Sequence, residues 1–365
     1  MIFLTIIFFS IGFFSGVYKF FPYSELVQLK DITSNQKIDN KHLMDDFIYD
    51  VDVKSLIHIS DVNELNMKRS NLIKYIWNQN ELPKVFPTSI NEKISDPNFN
   101  DMKNLEKIIQ VEYVMDFGIN SISYLFIPIE GNNKIIFYHQ GHDGHFFEGK
   151  KTIEFFLNEG YTVQAFSMPL LGLNDQPIVE NEFGPIILRS HDHLKYIASD
   201  NLNPVKFFFE PLLASTNYLK ENYNFEQYSI IGISGGAWTA MYYSTIDERI
   251  NHTYAVAGPY PLFLRSNYEQ IGDYETELPD LISTVNELET YVISSYGKDR
   301  KFVQIFNKYD SCCFGGDYAK TYETNIHRKI SKLGSGQYEL FIDETHNQHI
   351  ISDHALDIIS SSLRE

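Results

Sequence analysis

In the stretch DVNELNMKRSNLIKYIWNQNELP, Leu65, Leu72, Ile73, Ile76 and Trp77 recur at helical spacing, which predicts an amphipathic helix whose apolar stripe packs on a neighbouring body. From Val111 onward the period shortens. VEYVMDF and SISYLFIPI, separated by Gly118, Ile119 and Asn120, predict a β-hairpin with a three-residue loop containing glycine. Apolar runs and helical patterns then alternate. KIIFYHQ reads as a buried strand, TIEFFLNEG as a helix closed by Gly160, and YTVQAFSM as the next strand. After a long insertion, PVKFFFEPLLASTNYLKENY predicts a helix that starts near Pro204 and kinks at Pro211. YSIIGIS, HTYAVAG, KFVQIFNKYD and YELFID are four further short strands, with helices between them and a last helix at DHALDIISSSL. Such alternation predicts an α/β class with a mostly parallel sheet, helices on both faces, and ligands at the carboxyl ends of the strands.

Composition narrows the setting. A chain of 365 residues with 43% apolar content has enough material for a large core. The formal net charge of −18, with no basic stripe, excludes nucleic acid as a partner, because a phosphate backbone would be repelled. The two cysteines, Cys312 and Cys313, are adjacent and cannot link distant segments; two reduced thiols are expected rather than a strained vicinal disulfide. The opening run MIFLTIIFFSIGFFSGVYKFF holds about eighteen residues before its first charged side chain, Lys19, enough to cross roughly 30 Å of hydrocarbon. Residues 1–20 are therefore expected to be a membrane anchor of undetermined side, or a signal segment that leaves the chain secreted if cleaved. Residues 21–107 read as a helical extension, and residues 108–365 as the main domain.

The chemistry centres on Gly232-Ile233-Ser234-Gly235-Gly236. The apolar run of Ile230, Ile231 and Ile233 leads straight into Ser234, and Ala237, Ala240 and Met241 follow at the spacing of a buried helix face. Strand, serine and helix therefore meet without a loop. So sharp a turn strains the serine backbone and brings strand against helix, so the positions two before and two after must be small. A serine hydroxyl also needs a base, a group to orient the base, and donors for an oxyanion. Asp310, at the end of KFVQIFNKYD, is the expected carboxylate, with Asp317 as the runner-up. The loop after YELFID offers His349 as the base and His346 as the alternative, whereas His354 is expected on the surface of the last helix. The amides of His142, with Asp143 as its alternative, and of Gly235 are the expected oxyanion donors.

Taken together, the hairpin, HQGHDG, GISGG, the YD after a later strand and the histidine before the last helix resemble the α/β-hydrolase superfamily over roughly residues 108–365. The resemblance implies an α/β-hydrolase fold and acyl transfer from a carboxylic ester or amide through Ser234, with a small-molecule substrate and no cofactor. It leaves open a serine peptidase, and a membrane-tethered binding protein that kept the fold without the chemistry. Oligomeric state is not specified. Three close histidine pairs, His142/His145, His191/His193 and His346/His349, raise a metal hydrolase with Asp143 or Asp192 as further ligands. None has the His-Glu-x-x-His helix pattern, so no metal is assigned. The stretch SHDHL, in the insertion, reads as a solvated loop, with a binding role as the alternative.

Overall fold

Strand pairing follows the apolar runs. In the computed structural model, which describes residues 46–182, 184–265 and 272–365, nine strands among the described residues form one sheet in the order β1-β2-β3-β5-β4-β8-β9-β10-β11. These are β1 Ser89–Ile94, β2 Leu105–Val114, β3 Asn120–Pro128, β4 Lys134–His139, β5 Thr162–Phe166, β8 Gln227–Ile233, β9 His252–Val256, β10 Lys301–Asn307 and β11 Gln337–Asp343. A separate antiparallel hairpin, β6 Ile178–Asn181 with β7 Gly184–Ile187, lies in the insertion after β5. Pairing is antiparallel from β1 through β3 to β5 and parallel from β5 to β11.

The period-two pattern of the buried strands feeds two cores. On β4, Ile135 and Phe137 face one core while Ile136 and Tyr138 face the other; β10 divides Phe302 and Phe306 from Val303 and Ile305 in the same way. Helices α2 Lys150–Asn158 and α8 Asp353–Leu363 cover one face. The other face carries α1 Val62–Trp77, α3 Glu210–Asn222, α4 Gly235–Ile246, α6 Glu287–Ser295 and α7 Lys320–Leu333; a short helix, α5 Pro279–Thr284, precedes α6. Helix α4 is buried at every position, as its apolar composition on all sides requires.

Helix α1 is the stripe expected from Leu65 to Trp77, and all five of those side chains are buried. Asp61 caps it by accepting from the amides of Asn63 and Glu64, and Asn78 ends it in the left-handed conformation. Each buried aliphatic side chain contributes roughly 1.5–3 kcal/mol. The Trp77 indole donates to Glu210 Oε1 at 3.0 Å, so this residue serves packing, as read.

Several details differ from the sequence reading. Strand β1 lies inside the stretch read as a helical extension; its sequence, SINEKI, has no apolar alternation because it is an edge strand with little burial. The hairpin loop between β2 and β3 runs from Met115 to Ile119, five residues, with Phe117 and Gly118 at positive φ. The helix expected from Pro204 is divided into a 3-10 turn, Pro204–Phe208, and α3, because Pro211 suits the first turn of a new helix better than the interior of an old one. Cys312 and Cys313 form a vicinal disulfide instead of two thiols, in a turn where Asp310 accepts from the Cys312 amide. Residues 1–20, read as an anchor or signal, lie outside the described residues, and among the described residues no helix is long and apolar enough to cross a membrane.

The joint of β8 and α4 has no spare room. A Cβ at Gly232 would stand 2.1 Å from the carbonyl oxygen of Gly236, which is backbone and cannot swing aside. Gly232→Ala is therefore expected to lower stability by about 1–3 kcal/mol or more. Gly131→Ala, whose Cβ would meet only ordinary contacts, is expected to stay within about 0.5 kcal/mol of wild type. Urea unfolding midpoints of the two variants check the contrast.

Candidate active site

Ser234 sits where β8 turns directly into α4, with φ 57° and ψ −122°, a left-handed backbone that non-glycine residues rarely adopt. Its amide donates to the Val256 carbonyl at 3.0 Å, and its own carbonyl accepts from Ala237 and Trp238, so both neighbouring elements hold the strain in place. A Cβ at Gly236 would lie 2.1 Å from the His139 carbonyl oxygen, and one at Gly141 would lie 2.7 Å from the Ser234 Cβ. The chain leaving β4 thus passes directly over the serine. Ser234 remains partly exposed while its neighbours in sequence are buried.

Two later strands supply a paired acid and imidazole at the same end of the sheet. Asp310, 1% exposed, follows β10 and takes the Cys312 amide on Oδ1 and His349 Nδ1 on Oδ2, the latter at 2.6 Å. His349 comes from the loop between β11 and α8. With Nδ1–H given to the carboxylate, the neutral ring has its lone pair on Nε2, which is buried and has no hydrogen-bond partner. Burial pulls the imidazolium of His349 down, but the hydrogen bond and charge of Asp310, aided by Asp143, outweigh it and leave the pKa raised. The sequence alternatives go elsewhere. His346 Nε2 is 3.2 Å from Asp343 and its Nδ1 accepts from the Gln348 amide, so it belongs to the turn that Asp343 organises with Thr345 and Ser352. Asp317 pairs with Lys320.

His142 and Gly235 also lie together beside the Ser234 turn. A Cβ at Gly235 would meet His142 Cε1 at 2.4 Å, which places the imidazole against the first peptide of α4. Gly235 is also the first residue of that helix, where amides have no partner within the helix.

No known protein family profile matches the chain, and no curated relative matches it in sequence. Solved structures do. An esterase from Pyrococcus furiosus superposes with a TM-score of 0.50 at 16% identity over 77% of this chain and 97% of its own. An acetyl xylan esterase from Paenibacillus sp. R4 gives 0.53 at 12% identity, over 86% and 98%. An acetyl xylan esterase from a Thermoanaerobacterium species gives 0.53 at 11%, over 85% and 96%.

The chain has the α/β-hydrolase fold.

Within this α/β-hydrolase fold, a second cluster adjoins the first and was not read from the sequence. His142 Nε2 lies 2.8 Å from Glu275 Oε1 and 3.1 Å from Asp273 Oδ2; His191 Nδ1 lies 3.0 Å from Glu275 Oε2, and its Nε2 is 2.9 Å from the Pro169 carbonyl. Glu275 is wholly buried. Burial raises its pKa, but His191 and His142 outweigh that and hold the carboxyl well below its usual range. Burial likewise lowers the His142 imidazolium, and Glu275, Asp273 and Asp143 reverse the effect. His142, His191 and Glu275 could together hold a metal ion. The solvated loop expected for SHDHL therefore fails at His191, which is 3% exposed, and holds for exposed Asp192. Neither His145, whose ring lies against that of Phe147, nor His193, which accepts from the Arg189 amide, joins the cluster. His354 is exposed on α8, as read.

Among the described residues, a cavity of about 890 Å³ lined by Trp77, Tyr113, Asn203 and Tyr274 does not include Ser234 in its walls. Proximity to chemistry rather than volume therefore defines the site. Side-chain NMR is expected to show His349 titrating above about 6.5, the ordinary histidine value. Its ion pair with Asp310 then stabilises the fold below that pH, and the contribution is lost as pH rises through the folded value. In Asp310→Asn the midpoint is expected to fall, because burial then acts without the opposing carboxylate.

Proposed function

We propose that this protein is a serine hydrolase that cleaves a carboxylic ester of a small molecule through an acyl-enzyme. Ser234 attacks the acyl carbonyl, His349 Nε2 takes the hydroxyl proton and later returns it to the leaving group, and Asp310 keeps the ring in the tautomer whose lone pair is on Nε2. The amides of His142 and Gly235 hold the developing oxyanion, each worth roughly 3 kcal/mol of barrier. Water then releases the acid. The single observation that carries this reading is the pair formed by Asp310 and His349: one ring nitrogen is held by a buried carboxylate and the other is unpartnered, at the sheet end where Ser234 is strained. The esterase activities in the names of the similar structures support an ester over an amide bond.

Residues 1–20 are, in the same reading, a membrane anchor; what supports this is the run of about eighteen residues without charge before Lys19.

A fluorophosphonate probe is expected to label the wild-type chain at Ser234 and to leave Ser234→Ala unlabelled. Hydrolysis of p-nitrophenyl acetate is expected to fall by about 10⁴-fold in Asp310→Asn. His349→Ala is expected to abolish turnover, whereas His346→Ala retains it. The reverse pattern would assign the base to His346, and a folded wild-type chain that never labels would leave a binding protein on this fold. After alkaline carbonate extraction the labelled full-length chain should remain with the membrane pellet, and a chain lacking residues 1–20 should not.

A further inference from the structure

We propose that His142, His191, Glu275 and Asp273 form a binding site for one divalent transition-metal ion, zinc by ligand chemistry, beside the turn that carries Ser234. His142 comes from the loop after β4, His191 from the insertion after β5, and Asp273 and Glu275 from a segment before α5. One donor atom each from His142, His191 and Glu275 lies within 4.8 Å of the others. His142 Nε2 lies 2.8 Å from Glu275 Oε1 and 3.1 Å from Asp273 Oδ2, and His191 Nδ1 lies 3.0 Å from Glu275 Oε2, so imidazole and carboxylate donors already stand about as close as ligands that share one zinc ion, roughly 3.3 Å apart.

The orientation of His191 gives an independent reason. Its Nε2 faces the Pro169 carbonyl at 2.9 Å, and since a carbonyl only accepts, that nitrogen carries the proton. Its Nδ1 faces Glu275 Oε2, 3.0 Å away, with 3% of the residue exposed to water, so a cation, whether proton or metal ion, belongs between nitrogen and carboxylate. A divalent ion held by both groups can take the place of that proton. An imidazole that gives its second N–H to a backbone carbonyl while aiming the first at a carboxylate is the arrangement that orients metal-binding histidines. Glu275, fully buried, presents its two oxygens to two different imidazoles. Its segment is held by Arg265, which donates to the Thr276 carbonyl at 2.8 Å, so the carboxylate is placed by the fold rather than by the ligand. Two imidazoles with carboxylate suit zinc, copper or nickel and disfavour calcium and magnesium, which take oxygen donors. Asp273, half exposed, closes the open side.

The ion would join three segments distant in the chain and fix the loop from which the His142 amide leaves. It acts through placement of that loop. The site does not depend on the hydrolase reading, because metal binding is read without turnover.

The tag-free full-length chain, stripped with EDTA, is titrated with Zn²⁺ by calorimetry and with Co²⁺ by visible absorption. The expected result is one ion per chain, cobalt bands characteristic of a four-coordinate nitrogen and oxygen site, and a thermal midpoint raised by roughly 5 °C at a hundredfold excess over Kd. His191→Ala and Glu275→Gln are expected to weaken zinc binding at least a hundredfold, and His193→Ala and His346→Ala to leave it unchanged. Asp273→Asn, at a half-exposed position, keeps the comparison usable if a buried variant fails to fold, and is expected to weaken binding about tenfold. A wild-type chain that binds no zinc below about 10 µM, or a His191→Ala chain that binds as wild type does, would overturn the proposal.

Discussion

The structure depends on one close approach, that of strand β8 to helix α4 with the chain leaving β4 laid across the joint. Backbone meets backbone there, so glycine occupies positions 232, 236 and 141, where added Cβ atoms would fall 2.1 to 2.8 Å from fixed atoms. A positive φ at Ser234 follows from it. The strain of order 1–3 kcal/mol is held by hydrogen bonds to β9 and within α4. What is gained is an outward-turned side chain between two loops that are set by the sheet rather than by their own flexibility.

Electrostatics then distinguishes two clusters near that serine. In one, a single buried carboxylate, Asp310, meets a single imidazole, which leaves one nitrogen unpartnered. In the other, Glu275 and Asp273 meet His142 and His191, so every imidazole nitrogen drawn toward the cluster faces an acceptor. A histidine with a lone pair to spare suits proton transfer; histidines whose nitrogens all face oxygen suit a bound cation or a fixed charge. His142 links the two. Its ring belongs to the second cluster while its backbone lies beside Gly235.

How much of this was legible in the sequence follows from the distance over which each constraint acts. The turn at Ser234 is written in five consecutive residues because the steric requirement is local, and the parallel strands are written as apolar runs because they are buried on both faces. Strand β1 was not legible: as an edge strand, SINEKI carries no buried face to impose alternation. His346 and His349 look equivalent in the sequence, and what separates them is which carboxylate each meets, Asp343 three residues away or Asp310 thirty-nine away. Glu275 lies 133 positions from His142 and 84 from His191, in an acidic stretch without a motif, and only the fold shows what it touches. The close histidine pairs do not mark the cluster, which takes one member from each of two of them.

In the proposed hydrolase, the Ser234 hydroxyl becomes acylated. Wild-type protein mixed with p-nitrophenyl acetate, quenched within the first turnover and digested, reports this directly by peptide mass spectrometry. The expected result is a burst of p-nitrophenol equal to the protein present and one acetyl group on the peptide carrying Ser234. Steady hydrolysis with no acetyl at Ser234, or an undiminished rate in Ser234→Ala, would contradict it.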